Sequence, residues 1–199
     1  MSCKLIVFLK NPESGKVKTR IAKTCGNSEA LQIYIRLLKH TLDIAESSKL
    51  NVLLSFSEKV DEHDMFNEYG FQKTIQTGDD LGERMHNAFI NSLHSEHGKT
   101  IIIGSDCLQL EAKHLREACE ALNHNDAVFG PAIDGGYYLI GLNSPQEKLF
   151  LAKSWSHQNV LSEALYAAKE QGLNVHLLEP LSDIDTYDDW LDNKHIVGL

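Results

Sequence analysis

Residues 100–106 read Thr-Ile-Ile-Ile-Gly-Ser-Asp. The β-branched run reads as a strong strand that stops at Gly104 and leaves Asp106 just past its carboxyl end. Working outward, Lys4–Lys10 reads as a first buried strand, Asn51–Phe56 as a second and Phe71–Gln76 as a third. Asp126–Phe129 and Tyr137–Leu142 read as strands around Gly-Pro and Asp-Gly-Gly turns, and Asn174–Leu178 as the last. Helical patterns separate them. Ser28–Ser47 carries Leu31, Tyr34, Ile35, Leu38, Leu42 and Ile44 at helical spacing, with Ser28 as a candidate N-cap. Leu81–Leu93, Ala112–Leu122 and Gln158–Gln171 follow, with shorter helices at Asp61–Glu68 and Thr186–Leu191. Such alternation predicts an α/β layered fold with a mostly parallel sheet, in which ligands bind at the carboxyl ends of the strands.

The 199 residues suit a single domain over 1–199, large enough to bury a core without staples. A formal net charge of −9 argues against nonspecific nucleic-acid or anionic-membrane partners, which need a positive surface. No apolar run reaches the roughly 18–20 residues of a membrane span. The opening Met-Ser-Cys-Lys-Leu-Ile-Val-Phe-Leu-Lys is expected to be a strand rather than a signal peptide. Cys3, Cys25, Cys107 and Cys119 lack C-x-x-C spacing and read as free thiols in a reducing cytoplasm. His94 and His97 sit in a polar stretch and read as solvated rather than as zinc ligands.

The segment after the first strand, Lys10–Lys23, concentrates basic charge. Lys10, Lys16, Lys18, Arg20 and Lys23 face Glu13 alone. Asn11–Lys16 contains Pro12 and Gly15 and reads as a loop. Gly15 allows close backbone approach, and the loop's N–H groups with Lys16, Lys18 and Arg20 suit a phosphate. A solvated charged loop is the competing interpretation.

Acidic motifs follow other strands. Asp106 is placed for Mg²⁺, which takes one or two carboxylates plus substrate phosphates, or for capping the next helix. Asp183-Ile-Asp185 can send one carboxylate to the same site, or cap the helix before Tyr187-Asp188-Asp189. Asp134-Gly135-Gly136 is either a hairpin turn or a close backbone approach to a ligand. Gly78-Asp-Asp-Leu-Gly82-Glu-Arg84 opens a helix whose N–H groups could bind an anion or a base edge, with Arg84 in reach; a surface salt bridge is the alternative for Arg84.

Taken together, these segments resemble a bacterial family called transferase 1, rSAM/selenodomain-associated, which is glycosyltransferase-like and belongs to the nucleotide-diphospho-sugar transferase superfamily. Its K-x-P-x-x-G-x-x-K-T-R-L pattern matches Lys10–Ile21, with Ile21 for Leu. D-L-G-x-R-M matches Asp80–Met85, and G-S-D-C-P-x-L matches Gly104–Leu110 with Leu108 where Pro is usual. G-P-x-x-D-G-G-Y-Y-L-I-G-L is intact from Gly130 to Leu142, W-S is Trp155-Ser156, and D-x-D-T is Asp183–Thr186. The resemblance implies a Rossmann-like, GT-A-type three-layer sandwich with an acceptor region after Asp134. More distantly, the chain is similar to guanylyltransferases that load molybdenum cofactor or phospholactate and hold a triphosphate on a basic loop.

Three functions are open on this reading. In nucleotidyl transfer, a nucleoside triphosphate lies over Pro12, Gly15, Lys16, Lys18 and Arg20, with Gly82, Arg84 and Ser105 also on the nucleotide. Asp106 and Asp185 hold Mg²⁺ or Mn²⁺, and a small phosphorylated acceptor lies along Asp134, Gly135, Gly136, Tyr137 and Trp155. Lys18, Arg20, Asp106 and Asp134 are then the catalytic set. In glycosyl transfer from a nucleotide-sugar, Asp134 is a base or sugar ligand and Trp155 a stacking ring. The third reading is a nucleotide-binding module without chemistry.

Overall fold

Leu5, Ile6 and Val7 are all hidden from solvent, so the first strand is covered on both faces. In the computed structural model, which describes residues 3–60, 64–93, 98–150, 155 and 157–198, that strand is the centre of a sheet. The strands are β1 (Cys3–Leu9), β2 (Asn51–Phe56), β3 (Gln72–Ile75), β4 (Lys99–Ile103), β5 (Ala127–Pro131), β6 (Tyr137–Leu142) and β7 (Val175–Leu177). The helices are α1 (Thr19–Cys25), α2 (Asn27–Ser48), α3 (Leu81–Leu93), α4 (Ala112–Ala121), α5 (Val160–Glu170) and α6 (Tyr187–Asn193).

The seven strands run in the order β3-β2-β1-β4-β6-β5-β7. All pairings are parallel except those of β6, which is antiparallel to both β4 and β5. Alternation along β1 sorts the layers. Leu5, Val7 and Leu9 pack with Leu38 and Leu42 of α2 and Leu115 and Ala118 of α4. Ile6 points the other way, to Met85 and Phe89 of α3 and Ala164 and Ala168 of α5. Each such buried aliphatic side chain contributes about 1.5–3 kcal/mol. Ile21 of α1, Ile33 and Leu37 of α2, and Trp190 of α6 form a third cluster on the outside of α2. The result is an α/β, Rossmann-like fold with a mixed sheet and helices on both sides.

This topology sets the ligand edge. β1 pairs with β2 on one side and β4 on the other, and the connections leave it in opposite directions. Such a switch point opens a crevice outside the carboxyl ends of the two strands. The segment after Leu9 and the one after Ile103 therefore flank one another.

Three expectations change. α1 lies inside the stretch expected to continue as basic loop; seven residues with one fully buried side chain, Ile21, carry too little periodicity to read. The helix expected at 61–68 is a single 3₁₀ turn at Asn67–Tyr69, residues 61–63 lying outside those described. The cysteines are not all free. Cys3 and Cys119 are joined, with Cα atoms 6.2 Å apart and a sequence separation of 116, whereas Cys25 and Cys107 are free thiols. Packing of α4 against the sheet brings the first pair together, and no local spacing announces it. His94, His97 and Ser156 lie outside the described residues. Among the described residues, no helix is long and apolar enough to cross a membrane.

Candidate functional site

The segment after β1 is held at its base by a buried tyrosine. The Lys10 N–H donates to the Tyr34 hydroxyl at 2.8 Å, and that hydroxyl donates to the Lys10 carbonyl at 3.1 Å. Lys16 then turns away from the crevice to pair with Glu13 at 2.8 Å and Glu58 at 3.2 Å. Lys16 and Lys59 together hold the Glu13 carboxyl down to about 2. Lys18, just before α1, takes a left-handed backbone (φ 46°, ψ 46°), a conformation that costs a non-glycine residue energy and marks a constrained position. Its side chain is only 7% exposed. The ammonium donates to the Ile184 carbonyl at 2.6 Å and lies 2.8 Å from Asp106 Oδ1. Arg20, in the first turn of α1, pairs with Asp185 at 2.9 Å.

Asp106 is not a helix cap, because α4 begins six residues later behind the capping box of Glu111 and His114. Its Oδ1 is shielded from solvent and, despite the nearby ammonium, receives no well-directed hydrogen bond. The Ile184 N–H donates to the Asp106 carbonyl at 2.9 Å, which ties the two acidic segments together. Capping is also not the task of Asp183 or Asp185. Thr186 caps α6, accepting from the Asp189 N–H while the Asp189 carboxylate accepts from the Thr186 and Asp185 N–H groups. Burial pushes the Asp183 carboxyl up to about 7, and the like charges of Asp106 and Asp134 add to that while Lys18 opposes it. Asp183 and Asp185 both line the cleft, and Asp185 pairs with Arg20.

The start of α3 is bonded in part from within. Asp80 Oδ1 accepts from the Glu83 N–H and Glu83 Oε2 from the Asp79 N–H, each at 2.9 Å. Of the N–H groups at this helix start, that of Glu83 is thus served by the Asp80 side chain and that of Arg84 by the Asp80 carbonyl. Arg84 donates through Nε to the Gly78 carbonyl and extends to the crevice wall. A methyl group at Gly82 would fall 2.6 Å from the Trp155 ring and 2.5 Å from the Phe150 carbonyl, so that glycine serves packing. One side of the Trp155 ring is thereby covered, and its Nε1 is shielded with no hydrogen-bond partner. In the β5–β6 turn, Asp134 Oδ1 accepts from the Gly136 N–H at 2.9 Å. Gly135 has φ +94°, and a methyl there would lie 1.9 Å from the Gln158 carbonyl.

These parts meet in a cleft of about 790 Å³ at the carboxyl edge of the sheet. Lys18, Arg20, Asp106, Asp183 and Asp185 form its charged end; Leu81, Met85, Tyr137 and Trp155 line an apolar part, with Asp134 nearby. Arg84, Ser105 and Gly136 also reach the wall, whereas Pro12, Gly15, Lys16, Gly82 and Gly135 do not. Tyr34 completes the wall without having been selected from the sequence, and Asp183, which the sequence leaves as an alternative to Asp185, lines it as well. Tyr34 reads there as a helix core residue; for Asp183, the hydrophobic Ile184 between two acids shows only that they diverge.

Among the described residues, no three metal-ligating side chains converge. Asp106, with its buried, poorly bonded oxygen, and Asp183 beside it nevertheless suit a hard divalent cation. Mg²⁺ commonly takes one or two carboxylates and completes its shell with water and substrate phosphates.

Residues 41–157 match the family described as "Uncharacterized protein conserved in bacteria (DUF2064)". The chain belongs to this family. Over 99% of its length it is similar to a Desulfovibrio desulfuricans G20 protein provisionally named a nucleotide-diphospho-sugar transferase, at 26% identity, 97% coverage of that chain and a TM-score of 0.86. It shares its fold with the inositol-1-phosphate CTP transferase of T. maritima, at 14% identity, 98% and 93% coverage and a TM-score of 0.63. A Mycobacterium tuberculosis H37Rv protein in complex with manganese has the same fold, at 14% identity, full coverage of both chains and a TM-score of 0.57. None of the curated proteins compared with it matches the chain.

Proposed function

We propose that this chain is a metal-dependent nucleotidyltransferase that joins a nucleoside triphosphate to a small phosphorylated acceptor. One observation carries the reading: Lys18 and Arg20 come from the β1 side of the crevice to meet Asp106, Asp183 and Asp185 from the other side. Anion-binding cations opposite divalent-metal ligands are the parts that phosphoryl chemistry needs. Resemblance to a CTP transferase in fold, and to a protein named for nucleotide-diphospho-sugar transfer, supports the same chemistry.

In this mechanism an acceptor phosphate oxygen attacks the α-phosphorus in line. The new oxygen–phosphorus bond forms as the bond to pyrophosphate breaks, and the leaving pyrophosphate takes the electron pair. Lys18 and Arg20 stabilise the charge on that leaving group, and Arg84 and Ser105 add polar contacts to the nucleotide. Asp106 and Asp183 would hold Mg²⁺ or Mn²⁺, whose chemistry is charge neutralisation at the phosphates; the manganese-bound protein of the same fold supports this choice. Asp185 orients Arg20. The turn of Asp134 and Gly136, with Tyr137 and Trp155, forms the acceptor end. Catalysis is positioning and electrostatics, with no covalent intermediate on the protein.

Glycosyl transfer is the second reading, favoured by the name of the Desulfovibrio relative and by Trp155 on the wall. A melting panel with Mg²⁺ separates the two. Ligands that bind only the folded chain raise its melting temperature by mass action. One nucleoside triphosphate is expected to raise it while UDP-glucose and GDP-mannose do not. A rise with a nucleotide-sugar alone replaces the proposal with the second reading, and no rise with any of them removes both.

On the motifs from Lys10 to Thr186, we also assign the chain to the rSAM/selenodomain-associated branch, with a GT-A-type arrangement in one domain. We place it in the cytoplasm, where triphosphates are abundant.

A further inference from the structure

We infer that Lys18 is a built-in counter-cation of the acidic crevice, which a divalent cation must displace before Asp106 can hold it. The inference rests on the metal reading above and assigns Lys18 a second position in the same cycle.

Lysine is among the side chains least often buried, yet that of Lys18 is 7% exposed. Its ammonium is fixed by Asp106 Oδ1 at 2.8 Å and the Ile184 carbonyl at 2.6 Å, one contact from each acidic segment. The surroundings explain why a cation is needed. Asp106, Asp134, Asp183 and Asp185 all border the cleft, and only Asp185 has another basic partner among the described residues, Arg20. Four acids around one crevice repel one another, and one Asp106 oxygen is shielded from water, so a positive charge from the chain itself relieves the empty crevice. The left-handed backbone at Lys18 fits this demand, because strain at a non-glycine residue persists where surrounding contacts impose it.

The same oxygen, Asp106 Oδ1, cannot serve an ammonium at hydrogen-bond distance and a divalent cation together without strong repulsion between the two cations. Lys18 therefore has two places: on Asp106 when the crevice is empty, and on the substrate phosphates when metal and nucleotide are present. The metal alone should bind weakly, because it competes with a tethered cation and finds no three converging side-chain ligands among the described residues.

The test uses Mn²⁺ alone, without nucleotide, followed by the loss of the free-ion paramagnetic resonance signal. Lys18→Met is expected to bind Mn²⁺ more tightly than the natural chain by on the order of tenfold. Lys18→Arg, which keeps the charge, should stay weak, and Lys18→Met with Asp106→Asn should lose the gain. Circular dichroism checks that each variant is folded, and Lys18→Gln replaces Lys18→Met if the latter is not. Equal or weaker Mn²⁺ binding by the neutral variant overturns the inference, as does no binding by either protein. If that happens while a triphosphate still raises the melting temperature of the natural chain, the nucleotidyltransferase reading stands without this exchange.

Discussion

Arg20 holds its guanidinium largely in water, with one carboxylate partner, Asp185, at 2.9 Å. Such an exposed pair adds little to stability, so the residue can be removed without unfolding the chain. If it serves the leaving phosphates, Arg20→Ala should weaken triphosphate binding by roughly tenfold and monophosphate binding far less. Isothermal titration with both ligands decides this, and equal losses would take Arg20 off the pyrophosphate. Gly135 is the opposite kind of residue. Its φ of +94° disfavours any side chain, and a methyl group would sit 1.9 Å from the Gln158 carbonyl. Gly135→Ala should cost about 2–4 kcal/mol, from backbone strain and overpacking together. Urea denaturation measures it, and a loss under 1 kcal/mol would mean that segment 157–160 moves aside easily. In the sequence the Asp-Gly-Gly turn is legible as a turn, whereas the second segment pressed onto Gly135 is not, because Gln158 is a tertiary neighbour.

At the scale of elements, the segment from Glu179 to Asp185 carries two of the site's acids but has no regular structure of its own. It is fastened from several sides. The Tyr138 hydroxyl donates to the Glu179 carbonyl, the Gln109 side chain accepts from the Ser182 N–H, and the Asp106 carbonyl accepts from the Ile184 N–H. The buried His114 completes the set: its Nδ1 accepts from the Glu111 N–H, which leaves the Nε2 proton to be donated to the Glu179 carboxylate. That bond, with Lys113 nearby, lowers the Glu179 pKa. The sign follows from linkage. A carboxyl whose folded pKa is depressed contributes stability above its unfolded value, near 4.5, and loses it as pH falls through the folded value. Glu179→Gln should therefore have a lower urea midpoint than the natural chain at pH 7, and the two should converge near pH 3. A gap that stays constant from pH 7 to pH 3 would show that the carboxylate charge is not what fastens the strap. Helices with a long apolar period, α2 and α3, were legible, as were the strands of the core. This strap and the seven-residue α1 were not, since both are shaped by bonds to distant side chains rather than by a local repeat.

For the whole molecule, the legible feature is convergence. Chemistry-bearing residues stand after β1, after β4 and in the β5–β6 turn, and the switch between β1 and β4 gathers them at one edge. A sequence with strands of this kind announces that edge, because parallel strands share their carboxyl ends. It does not announce which basic residues turn inward: Lys16 and Lys18 are two positions apart, yet one pairs with Glu13 and Glu58 outside the cleft and the other with Asp106 inside it. The opposite end of the sheet offers a control. Cys3 begins β1 and Cys119 lies on α4, so their link sits at the end of β1 away from the cleft and closes most of the chain's first 119 residues into a loop. Closing a loop of that length in the unfolded chain is worth about 4–5 kcal/mol in the chain-entropy picture. The protein oxidised with glutathione disulfide should therefore melt clearly higher than the same protein in dithiothreitol, and Cys119→Ser should melt alike in both. Nucleotide-induced stabilisation should be the same size in both redox states, because no link between β1 and α4 at that end touches Lys18 or Asp106. A nucleotide response that changes with oxidation would show that the sheet transmits strain from one edge to the other, and that the two ends of β1 cannot be treated as independent.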